Sequence, residues 1–159
     1  MDTRTIDNAL LFGEIEHLLA GGKTVTITTK GESMAPFLID NCDKVVLEPL
    51  PSDKFKKGMI VVAQLPNKNY VMHRIVAISK TITLMGDNNN SQEIITPDDI
   101  VGYISSKISP NGEVVNYGSL TWNWFAFWAL VTKRNRTTCS KIYTSIKRFF
   151  KRIKKRIHL

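Results

Sequence analysis

Cysteine is scarce in this chain. Cys42 and Cys139 are the only two, and neither belongs to a Cys-x-x-Cys pair. That excludes a disulfide framework and a cysteine-rich metal site, and it suits two free thiols in a reducing compartment. Long apolar runs are lacking too. The most apolar stretch, Leu120 to Val131, has 12 residues, whereas a helix that crosses a bilayer needs about 20. Near the N-terminus, Ala9-Leu10-Leu11-Phe12 is interrupted at once by Gly13, Glu14 and Glu16, too short and too charged for a secretory signal. Acidic residues are absent from one whole part of the chain. Residues 1–119 hold 11 Lys+Arg and 14 Asp+Glu, a net of −3, while residues 120–159 hold 11 Lys+Arg and no acid, a net of +11. The overall +8 therefore describes neither part.

What is present is enough for one ordinary domain. The chain has 159 residues, 43% hydrophobic and 23% charged, a balance that excludes a disordered or fibrous chain. After a possible cap at Thr5, the residues Ile6, Leu10, Leu11, Ile15, Leu18 and Leu19 recur at helical spacing, and Gly21-Gly22 supplies a stop. The pattern then changes to short β-branched runs: Val25–Thr28, Val45–Leu47, Met59–Val62, Tyr70–Ser79, Thr81–Met85 and Ile100–Ile104. Asn111-Gly112 signals a tight turn. The expectation is a mainly β (α+β) body with one N-terminal helix and about seven strands.

Three stretches carry polar groups suited to chemistry. Gly31-Glu32-Ser33-Met34-Ala35-Pro36 places a serine in a loop after the first strand. His73 lies within the longest strand, on one face with Val71, Ile75 and Ala77 by the period of two. Gly86-Asp87-Asn88-Asn89 follows the strand that ends at Met85. Each alone reads as a turn or a structural histidine.

Together they resemble the signal peptidase I superfamily of serine peptidases, which includes the self-cleaving LexA-type repressors. The likeness covers about Val25 to Ile108. Its blocks are Gly31 to Pro36, the strand from Asp43, Lys57 to Val62, His73-Arg74-Ile75-Val76, Gly86 to Asn89 and Asp98 to Gly102. Cys42 stands where the family has glycine, and Met59 where it has an acid. The resemblance implies Ser33 as nucleophile. Most relatives have a lysine base on the next strand block; His73 in that place resembles the endoplasmic-reticulum type. A serine hydroxyl needs a base to become a nucleophile, and a neutral imidazole, ordinarily titrating at about 6.5, can serve. A carboxylate on its other nitrogen would fix the tautomer. Asp87 is placed first for that role and Glu93 second. The Ser33 N–H is the expected first oxyanion donor; relatives add a hydroxyl two residues earlier, where this chain has Gly31. No metal or cofactor is expected.

The tail forms a separate expectation. Residues 120–131 hold all three tryptophans, Trp122, Trp124 and Trp128, either as an interfacial segment or as an aromatic plug on the sheet. Beyond them Ile142, Ile146, Phe149, Phe150, Ile153 and Ile157 recur at helical spacing among lysines and arginines, the pattern of a basic amphipathic C-terminal helix. The expected division is a peptidase domain over 1–119 and a membrane-associating tail over 120–159. Its partners would be a peptide or preprotein substrate and an anionic membrane surface, reached through Trp122–Trp128 and the tail, with peripheral attachment favoured at the cytoplasmic face. Nucleic acid is not expected. Two alternatives stand beside the peptidase. One is a non-catalytic, membrane-tethered peptide-binding scaffold. The other is a LexA-like regulator cleaving itself at Ala20-Gly21, with only 13 residues separating Ala20 from Ser33.

Overall fold

The computed structural model describes residues 8–50 and 55–131. Thr5, Ile6 and the expected amphipathic helix over 142–157 lie outside the described residues. Helix α1 (Asn8–Ala20) is followed by β1 (Val25–Thr28), β2 (Lys44–Glu48), β3 (Ile60–Gln64), β4 (Tyr70–Ile78), β5 (Ile82–Met85), β6 (Gln92–Ile95), β7 (Ile100–Ile108), β8 (Val114–Asn116) and α2 (Leu120–Val131). The eight strands form one sheet in the order β1-β2-β7-β3-β4-β5-β6, with β8 also paired to β7. Every pairing is antiparallel; β3 to β6 follow one another in chain order, while β7 crosses back to lie between β2 and β3.

The expected strands are all present, and the Asn111-Gly112 turn joins β7 to β8. β6 was not legible in advance. It is four residues long and alternates outward and inward, with Glu93 and Ile95 turned inward. The strict alternation expected for the longest strand gives way to four consecutive buried residues, His73 to Val76. β4 is covered on both faces there, and a register shift between Ile75 and Ala77 adds a bulge.

Two apolar clusters flank the sheet. On one side Ile15 and Leu19 of α1 join Met34, Phe37, Leu38, Val45, Leu47, Ile60, Val62 and Ile104. On the other, Met59, Val61, Ala63, Ile75, Ile82, Leu84, Ile95 and Ile100 pack together. The alternation of Ile60 and Val62 with Val61 and Ala63 shows β3 feeding both.

Helix α2 completes the first cluster. Trp122 is fully buried, its ring edge-on to Phe37 at 4.9 Å and to Tyr117 at 5.5 Å. Phe125 meets Phe37 at 5.2 Å. Ala126 passes close to Gly58, where an added Cβ would come within 3.2 Å of it. The expected division at residue 119 therefore leaves α2 packed on the body, with Trp122 facing inward as the plug.

Candidate active site

Sheet register decides which acid can reach His73. In the β4–β5 ladder Ile75 is opposite Leu84, and in the β5–β6 ladder Leu84 is opposite Glu93. Residues opposite each other across a sheet share a face, and His73 shares the face of Ile75. Glu93 is thus delivered to the His73 side, and His73 Nδ1 lies 2.8 Å from Glu93 Oε2. A carboxylate can only accept, so Nδ1–H donates, and in the neutral ring that leaves the lone pair on Nε2. That is the tautomer a general base requires.

Asp87 belongs to the other face. Arg74 is opposite Met85, and Asp87 lies two residues beyond Met85. Arg74 donates to Asp87 through both Nε, at 2.8 Å, and Nη2, at 2.6 Å. Its Nη1 donates to the Gly58 carbonyl at 2.8 Å. Arg74 is fully buried and its guanidinium lies 5.4 Å from the centre of the Phe37 ring. The order given to the two acids is therefore reversed in space: Glu93 contacts His73, and Asp87 is taken up by a bidentate pair with Arg74. Asp87 is well placed as a positioning residue. Pairing with Arg74 anchors the turn over residues 86–89, and that turn holds the serine loop.

The hold is direct. Asn88 N–H donates to the Ser33 carbonyl at 2.7 Å, and Asn88 Nδ2 donates to the Glu32 carbonyl at 3.1 Å. Gly86 is required by this approach, because a Cβ there would lie 2.6 Å from the Ser33 carbonyl oxygen. From beneath, Met34, Phe37 and Leu38 sink into the first cluster. Lys107 donates to the Phe37 carbonyl at 2.7 Å and pairs with Asp43 at 3.1 Å. Asp43 in turn accepts the Ile39 N–H at 2.7 Å. Ser33 thus sits at the surface of a loop fixed from both sides.

Ser33 and His73 line one cavity of about 160 Å³, together with Thr29, Lys30, Met34 and Tyr70 among others. No hydrogen bond joins the Ser33 hydroxyl to His73 among the described residues; such contacts often tighten only around substrate. Gly31 N–H is committed to Asp40 Oδ1 at 2.8 Å, and the single Thr29 hydroxyl proton lies between the Ile39 and Asp43 carbonyls, which it can reach at 2.9 and 3.0 Å. Neither offers a second oxyanion donor. Tyr70, which the sequence did not single out, stacks on Phe12 at 4.7 Å and accepts from Gln64 at 2.9 Å. Burial, with a smaller contribution from the Glu16 carboxylate, pushes its phenol above the usual range, so it enters the cavity wall as a neutral group.

The family model for Peptidase S24-like proteins matches residues 6–108. The chain belongs to this family. The family is one of serine peptidases with the LexA and signal peptidase fold, and the eight-stranded antiparallel sheet flanked by helices agrees with that fold. A search of the curated proteins returned no match. The S24-like region ends at the last residue of β7, so Ser33, His73, Asp87 and Glu93 all fall inside it, and β8 and α2 lie beyond it.

Proposed function

We propose that this S24-like protein is a serine endopeptidase of signal-peptidase type that cleaves an extended peptide or leader in trans, with Ser33 as nucleophile, His73 as general base and Glu93 as its orienting carboxylate. The observation that carries this reading is the 2.8 Å contact between His73 Nδ1 and Glu93 in the cavity that Ser33 also lines. Ser33 Oγ attacks the scissile carbonyl as its proton passes to His73 Nε2. Glu93 stabilises the resulting imidazolium, and the Ser33 N–H receives the oxyanion. His73 then returns the proton to the leaving amine, giving a free amine and a Ser33 ester. Water, deprotonated by His73, hydrolyses the ester and restores the serine.

The binding mode follows from the ladder. Tyr70 to His73 pair with β3 on one side, while β5 joins β4 only from Arg74 onward. That leaves a stretch of sheet edge beside the cavity, suited to a substrate added as a strand. Cleavage at Ala20-Gly21 fits this less well. Ala20 closes α1, and the next three N–H groups donate to His17, Leu19 and Leu18 carbonyls. The bond is held in a helix end, whereas a peptidase needs it extended. Substrate can be found by comparing peptides from cells carrying the wild-type chain with those from cells carrying Ser33→Ala. The expected outcome is one or a few precursors that accumulate uncut, with small residues beside the missing cleavage. Identical peptide profiles in the two strains would contradict the proposal.

A further inference from the structure

Helix α2 presents two apolar faces, and the body covers only one. Trp122, Ala126 and Ala129 are buried. Leu120, Trp124, Phe127 and Val131 are 90%, 61%, 65% and 59% exposed. Their spacing aligns them in one stripe along the helix. Four large apolar side chains in a row on a surface mark an interaction site. The described residues leave the stripe uncovered, and the rest of the chain indicates what meets it. Two residues after Val131 comes Lys133, the first of 11 Lys+Arg with no acid among them.

We propose that the exposed stripe of α2 docks on an anionic membrane surface, with Trp124 and Phe127 entering the interfacial region and the following cations meeting lipid phosphates. Each competing occupant satisfies half of the arrangement. A second copy would cover the stripe but would add the same excess of cations rather than the anions they call for. Nucleic acid would neutralise the cations but leave the stripe in water. An anionic bilayer meets both, because aromatic side chains favour the interface and basic residues are drawn to the negative leaflet. No described helix is long and apolar enough to cross a membrane; an apolar stripe on one face of a helix whose other face is packed on the body suits attachment at the surface. The other face of α2 holds Phe37 through Trp122 and Phe125, four residues from Ser33. The same helix therefore touches the serine segment and would bring it to the lipid surface. This goes beyond the peptidase reading and does not depend on it.

Truncation at residue 119 would strip Trp122 from the core, so point variants of the full chain make the better test. Wild-type protein is expected to co-sediment with vesicles of mixed phosphatidylcholine and phosphatidylglycerol, weakly with phosphatidylcholine alone, and less as salt is raised. The double variant W124E/F127E should fold as wild type by circular dichroism and bind mixed vesicles at least about tenfold more weakly. Ser33→Ala should bind as wild type, which separates this test from catalysis. Equal binding by W124E/F127E and wild type would overturn the proposal. So would absence of wild-type binding, a wild-type dimer in sedimentation velocity that the double variant loses, or tight binding to duplex DNA without binding to vesicles.

Discussion

Ser33→Ala and His73→Ala are each expected to lower kcat for peptide cleavage by about 10⁴-fold or more, and the double variant by little beyond either single one. The reason is the division of labour in the site. The hydroxyl does not react until its proton is taken, and the imidazole has no other proton to take in the first step. Removing either therefore removes the same event. Glu93→Gln tests the third member separately. An amide in place of the carboxylate can donate to Nδ1, which stabilises the wrong tautomer. The expected loss is again large, about 10⁴-fold. Asp87→Asn has no such route to the ring. If it reproduced the full effect of Glu93→Gln with stability unchanged, the assignment of roles would be wrong.

The second large effect concerns stability. Arg74 and Asp87 are both buried and bonded to each other at two points. Taking one partner away leaves the other as an uncompensated charge in the interior. Arg74→Ala or Asp87→Ala is expected to cost about 3–5 kcal/mol in urea unfolding. Activity should fall with the loss of order in the turn that holds Ser33. The paired replacement Arg74→Met with Asp87→Leu should recover much of the stability, since well-packed apolar residues often replace a buried pair at little cost. It should not recover activity in proportion if the ion pair also sets the position of the Asn88–Ser33 contact. A double variant no more stable than the singles would show that the pair is not the source of the effect.

These roles were only partly visible before the structure. Ser33 and His73 stood out because a serine between glycine and proline and a histidine in a long strand recur in ordered blocks. The helix, the strands from β1 to β5 and the first half of β7 were legible from periodicity and turn residues. Glu93 was harder to place. Gln92-Glu93-Ile94-Ile95 is short and polar at its start, and it lies close behind a run of four turn-prone residues. Without β6, the register that carries Glu93 to the His73 face could not be counted, and Asp87, nearer in the recognised block, took precedence. The partner of Asp87 was hidden for a related reason. Arg74 follows His73 directly, and neighbours in a strand point to opposite faces, so the two acids divide between the two faces. Composition showed the apolar character of residues 120–131 but not its division. Burial of Trp122 against Phe37 and exposure of Trp124 depend on how α2 is turned against the sheet.

Ser33 acting as a nucleophile activated by His73 is the centre of the proposed mechanism. Intact-mass spectrometry after incubation with an acylating serine-peptidase inhibitor tests it most directly. The result predicted is a single covalent adduct that peptide mapping assigns to Ser33, absent in Ser33→Ala and formed much more slowly in His73→Ala. Absence of an adduct on well-folded wild-type protein, or an adduct that forms at the same rate without His73, would contradict it.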